Sequence, residues 1–600
     1  MAVTPVILCL SQSGAPLARQ IADTLGAVLH GREGRVQGAD VPFAETTAHI
    51  RDLFAAGIPV IGICAAGILI RAVAPLLADK RQEPPVIAVS EDGHAIVPLL
   101  GGHRGANDLA GRIAAALGRA PAITTAGEAT LGIALDAPPA GYRLANPGEA
   151  KGVMAALLSG DGARLNGPVP FALPHDPEGG VEITVTDAPA DPGPARLIYH
   201  PQRHVLGVGT ARGADPAELA DLAGRVLAEA GVAPGAVAAV GSVDLKGDEP
   251  AVIALAEALG VPLRLFTPAE LEAQRPRLQT PSDVVFAEVG CHGVAEGAAL
   301  ALIGPEGALT VAKRKTANAT CALATAPAPL VDLPGQGRGR LALVGIGPGQ
   351  ATWRAPEASR MIAEAEDLVG YGLYIDLLGP LAAGKTRTDF PLGGEEARCR
   401  HALERAAEGR NVALICSGDA GIYAMGALVY ELLDRAPDKG GVSAAARRVQ
   451  VISAPGISAL QAAAARAGAP LGHDFCAISL SDLLTPRDDI LRRIRAAAEG
   501  DFVIAFYNPV SRTRRTLLAE ARHILLRHRP AGTPVLLATS LGRPEESLRY
   551  RQLEDLKVDE VDMLTVVLVG SSHSRLIETG DGPRMYTPRG YAKKLDQQPG

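Results

Sequence analysis

Leu341–Gly349 reads LALVGIGPG, and Val412–Tyr423 reads VALICSGDAGIY. Each is an apolar run of strand length that opens into glycines and then into a helical pattern. The same sign recurs nearby. VQVISA (449–454) ends at Pro455-Gly456-Ile457-Ser458-Ala459, FVIAFYNP (502–509) ends at Tyr507-Asn508-Pro509, and LTVVLVG (564–570) ends at Ser571-Ser572-His573. Strands alternating with Ala-rich helices make an α/β fold, and open sheets of that class gather ligands at the carboxyl ends of their strands. One such loop fits a plain strand–helix turn as well as a ligand loop; five in one block favour a ligand. Gln350 breaks the G-x-G-x-x-G spacing, which argues against a nicotinamide oxidoreductase.

Outside this block the same alternation fills most of the 600 residues, too many for one domain. The chain is 47% hydrophobic and 20% charged, an ordinary globular balance, with 68 glycines and 46 prolines marking many short turns. Aromatics make up only 3%, so the cores are built of Ala, Val, Leu and Ile. A net charge of −7 disfavours a nucleic-acid partner. Ile58–Ile70 is the longest apolar run and too short to span a bilayer, and the N-terminus lacks secretory features, so no membrane partner is expected. Seven scattered cysteines without a C-x-x-C pair point to a reduced, cytoplasmic protein with no metal-ligand cluster. Pro/Gly-rich stretches at 174–194 and 326–340 divide the chain. The expected domains are 1–125, 126–200 (a middle domain and linker), 201–325, a linker at 326–340, 341–592 in two subdomains (341–455 and 456–592), and a tail at 593–600.

The set VGIGPG, DLVGYGLY, CSGDAGIYAMG, APGISALQAAAARAGAPLGHDF, DFVIAFYNPVSRTRR, LTVVLVGSS and YTPRGY resembles the precorrin-3B C-17-methyltransferase branch of the tetrapyrrole methylases, over about 340–592. The resemblance implies a two-subdomain fold with S-adenosylmethionine in the cleft between the halves. It implies methylation of C-17 of a tetrapyrrole macrocycle with ring contraction, and by precedent a homodimer. Carried over by position, Gly347, Pro348, Gly418, Asp419, Ile422, Tyr423, Ser458, Ala459, Tyr507, Asn508 and Pro509 would contact the cofactor. Asp419 and Tyr423 are the candidate catalytic residues. Asp419 sits where it could equally cap a helix. Methyl transfer from a sulfonium asks mainly for positioning. A polycarboxylate ring asks for cations, for which Arg512 and Arg575 are the leading candidates, with Arg514, Arg515, Arg543 and Arg589 behind them. Tyr374 and His573 are further acid–base candidates, though His573 reads more simply as a packing residue.

In the N-terminal half, Gly93–Gly118 (GHAIVPLLGGHRGANDLAGRIAAALG) runs a strand into a glycine turn and a helix. Such a turn offers free N–H donors to a carboxylate or oxyanion. His103 could serve as a general base or merely pack. ICAAGILIRAVAPLLADK (63–80) adds Arg71, and ITTAGE (123–128) closes another strand. These stretches, with GVGTARG (207–213) and SVDLKGDEP (242–250), resemble cobalt-precorrin-5A hydrolase over about 1–325. That resemblance implies α/β domains of the hydrolase family, opening of a δ-lactone on a corrinoid intermediate, and release of acetaldehyde. His103 is its candidate catalytic residue, and Arg71, Arg104 and Asn107 its candidate substrate contacts. Ala106 and Gly127-Glu128 depart from the family pattern, so a corrinoid-binding module without catalysis is the other reading. Fusing two steps of one pathway would favour channelling of the intermediate.

Overall fold

The computed structural model describes residues 3–77, 79, 83–511 and 514–591. The expected tail at 593–600 and Arg512 lie outside the described residues. Among the described residues six sheets account for the strands, in four successive blocks of chain.

The first block forms a six-stranded sheet from Val6–Cys9, Val28–Arg32, Val41–Phe43, Val60–Ile63, Val86–Val89 and Ile96–Leu100, in spatial order third, second, first, fourth, fifth, sixth. All pairings are parallel except the last. This doubly wound arrangement is not the α/β-hydrolase fold that the word hydrolase suggests. A four-stranded sheet follows within 142–201, and a five-stranded mixed sheet within 204–325. Among the described residues no single helix is long and apolar enough to cross a membrane; the apolar helix Val294–Ile303 is buried within the last of these blocks.

From Arg340 a five-stranded, wholly parallel sheet begins, with Arg340–Gly345 flanked by Asn411–Cys416 and Gln450–Ala454. Leu341–Gly345 and Val412–Cys416 are buried throughout, which is why they read as unbroken apolar runs instead of alternating ones. The second subdomain is a mixed sheet of Phe475–Ser479, Val503–Tyr507, Thr565–Val569, Pro534–Thr539 and Ser547–Gln552, in that spatial order, beside a three-stranded ribbon ending at Tyr586.

The domains are not beads on a string. Ile50, Leu53 and Phe54 of the first domain share one hydrophobic core with Ile362, Ile375, Leu378 and Leu381 of the parallel-sheet subdomain. The Pro/Gly stretch at 326–340 is not a free spacer either. Gln336 and Leu265 exchange both backbone hydrogen bonds (2.7 and 2.9 Å). The Arg264 guanidinium donates to the carbonyls of Leu333, Pro334 and Gly335.

Candidate functional site

Three loops cross at the carboxyl ends of the parallel strands. Gly347 and Gly418 exchange backbone hydrogen bonds (3.1 and 2.8 Å), both at positive φ near +70°. Gly345, Gly418 and Gly456 then meet without side chains: a Cβ on Gly345 would lie 2.7 Å from the Gly418 oxygen. Only glycine permits this approach. Asp419 fastens the crossing, accepting the N–H of Gly421 on one carboxylate oxygen (2.8 Å) and that of Gly456 on the other (3.0 Å).

Facing these loops are the carboxyl ends of two strands of the second subdomain. Together they line a cleft open to solvent, with a cavity of about 190 Å³. Its lining includes Pro348, Gly418, Asp419, Ile422, Tyr423, Ser458, Ala459, Tyr507 and Asn508. The structure thus brings together segments as far apart in sequence as Pro348 and Val566. Gly347 and Pro509 are buried immediately behind it. Among the described residues, five non-glycines have positive φ, and three of them line this cleft: Tyr423 (+50°), Asn508 (+49°) and Ser540 (+51°). Strained backbone of this kind persists where the surroundings over-determine it, commonly at functional sites.

Two side chains of the lining, Tyr423 and Arg543, tie the two subdomains together, and others brace the second subdomain's side of the cleft. Tyr423 donates its hydroxyl to the Ala477 carbonyl across the cleft (2.9 Å), and its ring lies 5.2 Å from that of Tyr507. The Tyr507 hydroxyl accepts the N–H of Leu460 (2.9 Å), while Asn508 Nδ2 donates to Ser479 Oγ (3.1 Å). Ser458 Oγ caps the following helix, with Gln461 returning the capping-box bond. At the rim, Arg543 Nε donates to the Pro348 carbonyl (3.3 Å). Burial pushes the Tyr374 phenol up, against the opposing pull of the Arg543 and Arg398 cations, so it remains protonated near neutral pH.

Three family descriptions match the chain: Cobalamin synthesis G N-terminal over 48–128, Cobalamin synthesis G C-terminus over 204–324, and Tetrapyrrole (Corrin/Porphyrin) Methylases over 340–557. A Precorrin-3B C(17)-methyltransferase from Sinorhizobium sp is 42% identical over 253 residues, which span 42% of this chain and 97% of that protein. A "Probable cobalt-factor III C(17)-methyltransferase" from Salmonella typhimurium is 44% identical over 251 residues, 42% of this chain and 99% of that protein. The crystal structure of the methyltransferase CobJ aligns with 42% identity and a TM-score of 0.37, covering 42% of this chain and all of that one. The chain belongs to the tetrapyrrole methylase family. It is a methyltransferase of cobalamin biosynthesis that also carries the two cobalamin synthesis G domains.

Tetrapyrrole methylases use S-adenosylmethionine, and the cleft suits that cofactor. Aliphatic walls from Ile422, Ala538, Leu541 and Val566 stand beside the hydroxyls of Ser417, Ser540 and Thr565 and the bare main chain of the glycine loops. An adenosine moiety needs that combination of flat apolar contact and a few placed polar groups. Ala538, Ser540 and Leu541 went unnoticed in the sequence, although Ala538 lies at the end of the apolar strand Pro534–Thr539 and the other two follow it just as Asn508 follows Val503–Tyr507.

Asp419 is a brace for the methylase loops, each of its oxygens accepting one backbone N–H, and it also lines the cleft. Asp419→Asn would turn an amide toward one of those donors. S-Adenosylhomocysteine affinity, measured by calorimetry, is expected to fall about tenfold, equivalent to about 1.4 kcal/mol.

Other expectations are overturned by strand direction. Thr565–Val569 runs antiparallel to Val503–Tyr507, so Gly570–His573 lies at the far end of the sheet. It is the amino end of that strand, Leu564 to Val566, that lines the methylase cleft. Arg575 and His573 are therefore outside it; Arg575 borders a separate depression with Tyr550 and Gln552. Arg514 and Arg515 are engaged elsewhere, with the Leu480 carbonyl and with Asp559.

In the first domain, Ile96–Leu100 runs antiparallel to Val86–Val89. The Gly101–Gly105 turn thus lies at the amino end of the parallel strands, with Gly101 against Pro84 and Pro85, away from the usual ligand edge. His103 falls in the short helix Gly102–Arg104, and its side chain lies outside the described residues. Arg104 is exposed, and Asn107 Nδ2 donates to Thr125 Oγ1 (3.2 Å), joining the GHRGAN turn to the ITTA turn. Arg71 bonds the Gly67 carbonyl of its own helix (3.3 Å).

Proposed function

We propose that the methylase region transfers a methyl group to C-17 of precorrin-3B, with contraction of the macrocycle to precorrin-4. Support comes from the 42% identity that spans nearly the whole Sinorhizobium protein of that name, together with a cleft of fitting lining. S-Adenosylmethionine, when bound, supplies an electrophilic methyl group carried on a sulfonium. The chain's own residues position and enclose. Asp419 and the three glycines shape one wall, and Tyr423 ties it to the opposite subdomain. Holding reactants in line in this way accounts for most of what such a displacement requires. Arg543 at the rim offers a cation for a carboxylate of the macrocycle.

Cobalt-factor III is the second reading, favoured by the 44% identity to the Salmonella protein. For the N-terminal half we propose lactone opening on a corrinoid, supported by the two cobalamin synthesis G matches. Purified protein incubated anaerobically with S-adenosylmethionine and each acceptor in turn distinguishes the readings. Methyl gain on precorrin-3B alone supports the first; gain on cobalt-factor III alone replaces it. His103→Ala and Arg71→Ala with cobalt-precorrin-5A test the other half: loss of turnover with binding retained supports a hydrolase, and binding without turnover in the unaltered chain a carrier.

A further inference from the structure

Two walls of the methylation cleft rest on one helix of the first domain. Helix Thr46–Ala55 buries Ile50, Leu53 and Phe54 in the same core as Ile375, Leu378 and Leu381. Those three partners belong to the segment that begins with helix Gly372–Asp376, which carries Tyr374 into the cleft. Just beyond that segment, Gly384 comes so near the first domain that a Cβ would lie 2.6 Å from Val28 Cγ2. The other wall starts at the Gly347–Gly349 loop, passes through the turn Ala351–Trp353 and reaches Arg354. Arg354 is 9% exposed, and its Nε donates to Ser359 Oγ (3.0 Å). Helix Thr46–Ala55 packs against helix Pro356–Glu364, which begins two residues after Arg354, and Ala358 and Ile362 share its core. Asp52, half-buried on the same first-domain helix, makes no ion pair with the Arg354 guanidinium but lies within electrostatic reach of it. Taking a carboxylate away from a buried cation leaves that charge less compensated.

We propose that helix Thr46–Ala55 is a working part of the methylation site, with Asp52 a positioning residue that steadies Arg354 and, through it, the Pro348 loop. The inference rests on the assignment of the cleft as the methylation site. The Sinorhizobium methyltransferase is matched almost end to end by the methylase region alone. The support from the first domain is thus a property of this chain and not a general requirement of the chemistry.

The test is calorimetry of the full chain with S-adenosylhomocysteine. Asp52→Asn and Phe54→Leu are each expected to weaken binding about fivefold or more. Asp52→Glu should recover most of the loss, and Asp23→Asn, on the exposed face of helix Ala15–Leu25, should change nothing. Hydrogen exchange over Arg340–Gly345 shows whether each variant keeps the methylase sheet; should Asp52→Asn fail to fold, the Phe54→Leu result decides. Unchanged affinity in the folded variants, with the unaltered chain binding normally, overturns the inference. Absence of binding by the unaltered chain overturns the cleft assignment itself.

Discussion

Gly456→Ala is expected to abolish cofactor binding while leaving most of the chain folded. A Cβ at this position would lie 2.0 Å from the Gly418 oxygen and 2.8 Å from the Gly345 carbonyl carbon. Both obstacles are backbone, so no side chain can swing aside. The two loops must separate, which breaks the bond from the Gly456 N–H to Asp419 and the paired bonds of Gly347 with Gly418. Each lost bond costs about 1 kcal/mol and leaves buried groups unpaired. S-Adenosylhomocysteine affinity should drop at least about a hundredfold, close to 2.8 kcal/mol. Gly440→Ala is the control: its φ is also positive (+80°), but a Cβ there meets nothing within 4 Å. If Gly456→Ala binds as the native chain does, the crossing of the three loops does not shape the site.

Acid should loosen the first domain. His30 Nδ1 lies 2.9 Å from His49 Nε2, and His49 stacks on Phe43 with ring centroids 4.2 Å apart. His30 is fully buried, and burial pushes it down to about 3 and His49 to about 4. Both are neutral in the folded protein at neutral pH, whereas in the unfolded chain they titrate near about 6.5. Below that pH the unfolded state binds more protons, so folded stability falls as pH drops toward the folded values. The slope approaches about 1.4 kcal/mol per pH unit for each histidine only below about pH 6, so the pair loses about 4 kcal/mol between pH 7 and 5. Hydrogen exchange of a peptide covering Val28–Arg32, followed from pH 7 to 5, reads this locally once corrected for the intrinsic exchange rate. His49→Phe should roughly halve the slope; a slope unchanged in that variant would show that the pair is not the source.

What the sequence disclosed follows from what a single strand can encode. LALVGIGPG and VALICSGDAGIY announce buried parallel strands and glycine loops because the apolar run and the glycine are local signals. Strand direction is not local. LTVVLVG and AIVPLL would read the same in either orientation, yet their antiparallel placement moves Gly570–His573 and Gly101–Gly105 to the far ends of their sheets. Tyr423 and Ser540 carry left-handed backbone that no residue preference advertises, whereas Asn508 is of a type that tolerates it. The brace role of Asp419 was hidden for the same reason, since its second partner, Gly456, is 37 residues away. Nor could the sequence show that helix Thr46–Ala55 would be covered by residues some three hundred positions later.

That last separation bears on synthesis at the ribosome. The apolar side of helix Thr46–Ala55 emerges roughly 300 residues before the segment that covers it, which at about 5–20 residues per second amounts to about 15–60 s of translation. During that interval Ile50, Leu53 and Phe54 lack part of their final cover. The nascent polypeptide is then at its most prone to aggregate, and expression yield should respond to chaperone supply more than it does for a free-standing methylase.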